Sequence, residues 1–247
     1  MNSKFKFYFD ILVGIAGLIG LVLVFVAEDK NKAIIALVAF CLFLLWFIFK
    51  VWKTVNTIAG QRHPFGYAKI ASIRRYTCLD GKFVEFENIQ IVQCKKPILL
   101  GIDHIFKWSG TKMPAVTCPG YTVSDIRAEK DGEYDRVHLS FPAPMLYDEV
   151  AVVPIHFAID DSDQKSKTEI GVKVRESMQF ISFRVELGNQ VDRTGKPARM
   201  LRLKYGTDMV GEWKLIENVK FDPITHCYEK QIQYPETGYY YQMEWDR

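Results

Sequence analysis

Two stretches near the N-terminus decide the architecture: ILVGIAGLIGLVLVFVA at residues 11–27 and AIIALVAFCLFLLWFIF at residues 33–49. Each stretch contains 17 residues without a charge. A helix rises about 1.5 Å per residue, so each stretch covers roughly 26 Å, close to the lower limit for crossing a bilayer core. We therefore predict a transmembrane helical hairpin over residues 1–59, with spans at about 7–27 and 33–52, and a lipid bilayer as its first partner.

The charges that flank these stretches predict the orientation of the hairpin. Lys4 and Lys6 precede the first stretch, a series of Lys and Arg residues follows the second, and the link Glu28–Lys32 is balanced. The positive-inside rule then places the N- and C-termini in the cytoplasm. The competing interpretation is a cleaved signal peptide, but Val24–Ala27 is a poor cleavage site and a second apolar stretch follows directly.

Small residues recur along the first stretch. Gly14, Gly17 and Gly20 lie at three-residue steps, and Ala16 precedes Gly20 by four residues. Small residues on one face allow helices to approach closely, so this pattern indicates either packing of the two spans against each other or a homo-oligomer interface. Neither stretch holds a charge in its centre, which disfavours an ion or proton transporter.

The rest of the chain reads as strands and turns. Asp80-Gly81 separates Tyr67–Leu79 from Lys82–Gln93, and Asp131-Gly132 lies between two further strand-like runs; both are typical of hairpins. Residues 181–187 alternate between apolar and polar side chains, as a half-buried strand does. We predict that residues 60–247 form one cytoplasmic all-β domain, a barrel or a sandwich of roughly ten to twelve strands.

The charge balance restricts the partners of this domain. Four of the 32 Lys and Arg residues and three of the 29 Asp and Glu residues precede residue 50, so the remainder is nearly neutral. A balance of this kind does not indicate general DNA or RNA binding, although a local basic site is compatible with it.

Catalytic and metal-binding patterns are missing from the sequence. None of the five histidines pairs with another at ligand spacing, and no phosphate-binding loop, dinucleotide fingerprint, zinc-protease motif or nucleophile elbow occurs. We expect no enzyme activity, no metal and no cofactor, while noting that a Ser, His and Asp site can be scattered through a chain.

Two basic clusters are candidates for contact with an anionic ligand. Arg193, Lys196, Arg199 and Arg202 surround the turn at Gly195 and the run that follows it, and a glycine turn with cationic side chains can receive phosphates. Arg74 and Arg75 form the second cluster. The alternatives are an ordinary solvated strand face for the first cluster and contact with anionic lipid for the second.

The overall arrangement resembles a family known from bacterial antiphage signalling. Two short spans, cytoplasmic termini and a β-rich domain with segments such as Gly211–Trp213 and Thr237–Tyr241 look like the two-transmembrane β-barrel effectors. The resemblance implies a multi-pass protein of the bacterial inner membrane. Its β domain would bind a cyclic oligonucleotide, and its spans would assemble as a homo-oligomer that disrupts the membrane.

Two hypotheses follow for the function. The first is a membrane-anchored sensor-effector that binds a nucleotide second messenger and oligomerises. The second is a membrane-tethered adaptor whose β surface binds a protein partner. A basic, aromatic-lined concavity would favour the first hypothesis, and a large exposed apolar patch would favour the second.

Overall fold

The computed structural model describes residues 30–127, 135–188, 195–205 and 212–247, together with Gly14 and Gly17. The chain divides into two compact units, Met1–Arg62 and His63–Arg247. Each unit is described by itself below.

The first unit contains helix α1, which spans Lys30–Arg62. Its segment Leu37–Arg62 is long and apolar enough to cross a membrane by length and composition. Large apolar side chains such as Leu42, Leu45 and Phe49 are exposed along it, whereas the core helix of a globular domain would bury them. The helix continues to Arg62, beyond the predicted end of the second span at about residue 52.

The described residues contain one helix of this kind and not the predicted pair. Within the first predicted span only Gly14 and Gly17 are described, and both are helical. Ala16 and Gly20 lie outside the described residues. Gly17 is buried, and a Cβ atom on it would lie 2.4 Å from the Phe43 ring of α1. The absence of a side chain at Gly17 therefore permits close packing on α1, and a second complete span stays a prediction.

The second unit consists of 13 described strands, slightly more than the ten to twelve predicted. In chain order they are β1 Tyr67–Cys78, β2 Phe83–Cys94, β3 Ile98–Phe106, β4 Ala115–Thr117, β5 Thr122–Arg127, β6 Asp135–Leu146, β7 Val150–Asp160, β8 Glu169–Val174, β9 Phe180–Leu187, β10 Ala198–Lys204, β11 Lys214–Val219, β12 Cys227–Gln233 and β13 Tyr239–Glu244.

These strands form three open sheets. The six-stranded sheet has the order β12-β9-β1-β2-β7-β4, the four-stranded sheet β11-β10-β13-β8 and the three-stranded sheet β3-β6-β5. The pair β1 and β9 is parallel, and the other pairs are antiparallel. No closed barrel occurs among the described strands, so the barrel alternative is wrong for the part of the domain that the structure describes. The sequence could not decide between a barrel and open sheets. The alternation of apolar and polar residues shows which face of a strand is buried, but it does not show which strands pair at the edges of a sheet.

The first predicted hairpin is confirmed. β1 pairs with β2 in antiparallel register, from Tyr67 opposite Cys94 to Thr77 opposite Glu85. Asp80 closes the turn by accepting hydrogen bonds at Oδ1 from the backbone N–H groups of Lys82 and Phe83, at 2.9 and 2.8 Å. Gly81 has φ of 73°, which glycine adopts without strain. β5 and β6 also pair antiparallel, and their connection at 128–134 lies outside the described residues.

One core joins the three sheets. Buried apolar side chains from each sheet pack together, such as Phe183 of β9, Leu139 of β6 and Met243 of β13. β9 alternates buried and half-buried residues along its whole length, as its sequence predicts. β13 departs from strict alternation because Gln242 is buried and donates hydrogen bonds from Nε2 to Glu169 and Glu244.

Candidate functional site

A cavity of about 730 Å³ lies where the three sheets meet in the second unit. Its wall includes the inner face of β1 and β2 from the six-stranded sheet, the end of β3 from the three-stranded sheet, and β8 with Tyr240 of β13 from the four-stranded sheet. Small-molecule sites in proteins commonly have volumes of about 300–1,000 Å³. The cavity is therefore large enough for a nucleotide-sized ligand.

An irregularity in β1 places two cationic side chains on the cavity wall. Lys69 and Arg74 are five residues apart, so a regular strand would direct them to opposite faces. The register between β1 and β2 shifts between Lys69 and Ala71. This shift inserts one extra residue, as a β-bulge does. Both Lys69 and Arg74 consequently line the cavity.

The charge around the cavity is strongly positive. Seven Lys or Arg residues line it against three acidic residues. The acidic side chains are already engaged: Asp103 with His138 at 2.8 Å and Arg136 at 3.8 Å, Glu176 with His63 at 2.8 Å, and Glu169 with Gln242 at 3.0 Å. Cations therefore outnumber the carboxylates available to neutralise them.

Lys69 and Arg74 of β1 are two cavity cations that lack a carboxylate partner among the described residues. Neither forms an ion pair with a carboxylate of the described chain, and the Arg74 Nε atom is buried without a hydrogen-bond partner there. Burial lowers the pKa of Lys69 to about 7, and the charges of Arg74 and Arg175 lower it further against the opposing effect of Glu176. Burial also lowers the pKa of Arg74 to about 10. A charge kept in such a place without a partner costs folding free energy, and groups of this kind are concentrated at functional sites in proteins.

On the opposite side of the cavity, β8 and the residue after it contribute two more cations. The ammonium of Lys173 lies 4.2 Å from the centre of the Tyr205 ring, and the guanidinium of Arg175 lies 5.0 Å from that of Phe65. Cation–π contacts hold these side chains in place without neutralising their charge. Both remain able to attract an anion into the cavity.

Next to the cations lies a layer of buried neutral polar groups. Gln90 of β2 donates from Nε2 to Nδ1 of His104 at 2.8 Å, and the Asn88 amide lies 3.2 Å from Nε2 of the same ring. Burial lowers the pKa of His104 well below its usual range, so the ring is neutral. The structure places the Asn88 amide nitrogen Nδ2 on Nε2 and leaves Asn88 Oδ1 without a hydrogen-bond partner among the described residues. A neutral imidazole accepts at one nitrogen and donates at the other, so only one of the two amide nitrogens donates to the ring at a time. His104 adds no positive charge to the cavity.

Aromatic rings form the remaining wall. Phe157 is the centre of the group, with its ring centroid 5.5 Å from that of Phe86 and 5.0 Å from that of Phe106. Phe86 also lies 5.7 Å from the Arg74 guanidinium carbon. Such rings provide surfaces on which a flat ring system can stack beside a charged group.

The structure separates the residues that the sequence grouped together. Arg74 lines the cavity, but Arg75 lies on the opposite, outer face and pairs with Glu87 at 3.2 Å. Neighbouring residues of a strand point to opposite faces, which splits this cluster.

The second predicted cluster lies away from the cavity. Lys196 is exposed, Arg199 pairs with Glu244 at 2.8 Å, and Arg202 pairs with Glu236 at 2.6 Å. None of the three lines the cavity, and Arg193 lies outside the described residues. For the described members the solvated-face alternative fits better than a phosphate site, since Arg199 and Arg202 are each neutralised by a carboxylate.

Sequence reasoning missed Lys69, Lys173 and Arg175. Lys173 and Arg175 are two residues apart in a run that alternates with Ile170, Val172 and Val174, a signal that could have placed them on one face. Lys69 had no such signal, because only the bulge in β1 aligns it with Arg74.

Comparisons with known proteins place the chain in no family. No family model and no curated protein sequence matches it. Among solved structures, an M1 zinc metallopeptidase from Deinococcus radiodurans has a TM-score of 0.35 at 8% identity, covering 72% of this chain and 42% of that chain. A putative protease from Parabacteroides distasonis has a TM-score of 0.35 at 6% identity, covering 73% and 40%. Baculovirus P35 has a TM-score of 0.32 at 9% identity, covering 75% and 99%.

These similarities are too low to carry a functional argument. The chain spans less than half the length of the two protease structures. In the part of the chain that the structure describes, no group of three or more His, Cys, Asp or Glu residues is placed to hold a metal ion.

Proposed function

We propose that this protein is a membrane-anchored sensor-effector of bacterial antiphage defence, that its β domain binds a nucleotide second messenger in the cavity, and that its transmembrane helices then oligomerise to disrupt the inner membrane. The observation that supports this proposal is the cavity, which combines uncompensated cations with aromatic surfaces. A nucleotide has the matching pair of features, since its phosphate is anionic and its base is flat.

The free-energy argument favours an anionic ligand. Lys69 and Arg74 are half-buried and lose part of their hydration in the folded protein, and neither gains an ion pair with a carboxylate among the described residues. A bound phosphate would supply charge-assisted hydrogen bonds that the protein itself does not provide. Because the whole domain is nearly neutral, attraction depends on this local site and not on the general field of the protein.

The membrane part of the proposal rests on α1 and on the charges around it. The apolar exposed surface of α1 fits a lipid environment better than water. Ligand binding can promote assembly only if the ligand binds the assembled state more tightly than the monomer. A reporter active only in the periplasm and fused after Arg247 should stay silent, because we propose a cytoplasmic C-terminus.

A second candidate function is supported by a different surface. Ile98 of β3 and Leu146 of β6 are cross-strand partners, and both are exposed, as are nearby Leu100 and Tyr147. An apolar surface of this kind can bind a protein partner. We propose a membrane-tethered adaptor without a nucleotide ligand as the alternative.

The ligand is tested with the full chain purified in detergent. A thermal-shift titration with cyclic di- and trinucleotides should raise the unfolding temperature, because a ligand at 100 times its Kd adds about 2.7 kcal/mol to the stability. Arg74→Met should reduce the shift by half or more, and Arg75→Met serves as the matched control on the outer face. A folded chain that responds to no member of the panel would favour the adaptor.

Assembly is tested by two glycine substitutions that differ in their surroundings. No described atom lies within 4 Å of a Cβ placed on Gly14, whereas a Cβ on Gly17 collides with Phe43 of the same chain. Gly14→Leu should weaken oligomers and membrane damage if this face contacts another chain. Gly17→Leu should disturb packing within one chain. Unchanged oligomer size in Gly14→Leu would remove this face from the interface.

A further inference from the structure

One end of the β domain carries a cluster of exposed apolar side chains. Six of them, from β3, from β6 with the turn after it, and from the start of β7, are each more than half exposed: Ile98, Leu100, Leu146, Tyr147, Val150 and Val152. We call this set the apolar tip. Single exposed apolar residues are common, but a cluster of this kind indicates an interaction surface.

Strand pairing and a short turn join these residues into one surface. Ile98 and Leu146 are cross-strand partners. The turn from β6 to β7 contains only Tyr147–Glu149, and the backbone N–H of Leu146 donates to the Glu149 carboxylate at 2.7 Å. This turn places Tyr147 and Val150 beside Leu146. None of the six residues lines the cavity, so the apolar tip is separate from the ligand site.

The apolar tip lies where the chain enters the β domain. The Gly66 carbonyl accepts a hydrogen bond from the backbone N–H of Lys95 at 2.9 Å. The Lys95 ammonium in turn pairs with Asp148 at 2.9 Å and lies 5.8 Å from the centre of the Tyr147 ring. Gly66 is therefore one contact away from the tip, and only three residues separate Gly66 from Arg62, the last residue of α1.

The connection from the membrane to this end of the domain is short. After the uncharged stretch at residues 33–49, Lys50–Arg62 continues α1 for about 20 Å. The chain from Arg62 to Gly66 spans at most about 14 Å. A bilayer that holds α1 is therefore within reach of the apolar tip. Because the tether raises the effective concentration of the bilayer at the tip, weak apolar contacts are sufficient.

The chemistry of the tip also fits a lipid surface. Tyr147 combines an apolar ring with a polar hydroxyl and lies next to a cation, Lys95, and Lys96 follows directly in the chain. Tyrosine at the interface and Lys beside anionic headgroups are typical of protein surfaces that contact a bilayer. Apolar side chains that project this far from the domain can enter a fluid interface, which needs no complementary pocket.

We propose that the apolar tip inserts into the lipid–water interface of the bilayer that holds α1, with Lys95 and Lys96 at the headgroups. This inference goes beyond the proposed function, because it gives a lipid partner to a surface that takes no part in ligand binding. It rests only on the membrane anchoring by α1. It assigns to lipid the surface that the adaptor alternative assigns to a protein.

Spin labels on the full chain test this contact in nanodiscs of phosphatidylethanolamine and phosphatidylglycerol. The background carries Cys41→Ala and Cys78→Ala, since the other three cysteines are buried. One label is placed at Ile98→Cys or Leu146→Cys, and the control label at Ile224→Cys. We expect the ratio of oxygen to nickel-chelate accessibility to be several-fold higher at the two tip positions than at the control, because oxygen enters lipid and the chelate stays in water.

Ile224 is a matched control because it is an exposed apolar residue at the other end of the domain. Its turn includes His226, whose carbonyl accepts a hydrogen bond from the N–H of Leu187 at 3.0 Å. Leu187 is the cross-strand partner of Cys78, the last residue of β1. Gly66 immediately precedes the first residue of β1, so the control lies about one strand length, roughly 36 Å, from the entry of the chain.

A charge variant tests whether the apolar character of the tip is the cause. Leu100→Glu with Val150→Glu places carboxylates on the tip, and these resist transfer from water into the interface. The ratio at Leu146→Cys should then fall to the value at Ile224→Cys. A ratio that is unaffected by the two carboxylates would overturn the proposed insertion.

A label at Leu42→Cys, an exposed position of α1, separates this inference from the proposed function. Access of the nickel chelate to this label would overturn the membrane anchoring on which both rest. An embedded α1 with tip labels as open to the chelate as the control would overturn the inference alone. Tip labels shielded from both oxygen and the chelate would show that a second copy or another protein covers the tip, and would overturn the lipid contact.

Discussion

Arginines on the two faces of the six-stranded sheet differ in their burial and in their ion pairing. Arg75, on the outer face, is exposed and pairs with Glu87 at 3.2 Å. Arg74, one residue earlier, lies on the inner face among aromatic and polar groups and pairs with no carboxylate of the described chain. The two side chains share a type and a strand, so their difference isolates the effect of the face.

Other charged side chains on the outer face contact carboxylates, as Arg75 does. Arg184 of β9 pairs with Glu229 of β12 at 3.1 Å and with Glu186 at 3.6 Å, and His156 of β7 approaches Glu87 at 3.6 Å. Cross-strand pairs of opposite charge are ordinary stabilising elements of a solvated sheet face. The charges of the outer face are therefore explained by the fold.

The charges of the inner face are not explained in this way. Lys69 and Arg74 are half-buried, so folding removes part of their hydration and returns no carboxylate ion pair among the described residues. Apolar residues in their places would then cost less free energy. Local choices that oppose stability without compensation are expected at functional sites. This difference is the basis of our proposal that the inner cations bind a ligand, whereas the outer ones stabilise the sheet.

The largest expected effect comes from substituting the two adjacent arginines separately. Arg74→Met should weaken nucleotide binding by roughly ten- to hundredfold, because a charge-assisted contact is lost, while stability stays equal or rises. Arg75→Met should change the nucleotide affinity and the stability by little, since exposed ion pairs contribute about 0–1 kcal/mol. Calorimetry and denaturant unfolding would measure the two effects. Equal losses in both variants would contradict the distinction between the faces.

The next effect is a dependence of affinity on pH. Lys69 has a pKa of about 7 in the free protein, so below that pH it is already protonated and the affinity should be flat. Above pH 7 an anion must bind together with a proton, so the Kd for cyclic di-AMP should rise by up to tenfold per pH unit. Lys69→Arg stays charged and should flatten the profile between pH 7 and 9. The same slope in both proteins would assign the proton to another group.

A smaller effect is expected at Gly171 of β8. A Cβ at this position would lie 2.3 Å from the Tyr240 hydroxyl oxygen, and Tyr240 lines the cavity. Gly171→Ala should therefore displace the Tyr240 ring and weaken binding several-fold, as calorimetry would show. If the effect acts through Tyr240, adding Gly171→Ala to Tyr240→Ala should change nothing further. Additive losses would mean that Gly171 acts independently.

The smallest effect is expected for the arginines of β10. Arg199 and Arg202 are compensated by Glu244 and Glu236 and lie off the cavity wall. The double variant Arg199→Ala with Arg202→Ala should leave the ligand Kd within about twofold and lower the stability by roughly 1 kcal/mol or less. A large loss of affinity would move the binding site to this strand.

The candidate site was only partly predictable. Arg74 was identified from the sequence because it belongs to a visible pair of arginines, but that pair gave no means of separating Arg74 from Arg75. The prediction at Arg199 and Arg202 failed to anticipate Glu244 and Glu236, which come from more than 30 residues further along the chain. A basic residue in a sequence does not reveal whether a distant carboxylate neutralises it.

The sequence by itself determined the apolar helix and the β character of the second unit. It also determined the β1–β2 hairpin, since Asp80-Gly81 is a local turn signal, and the buried face of β9, since alternation is local as well. Only the tertiary structure decided that the sheets stay open, that the three sheets enclose a cavity, and that Lys69 and Arg74 share its wall. These features depend on strand pairing, on one bulge and on the positions of carboxylates far along the chain, all of which are long-range contacts that local patterns do not encode.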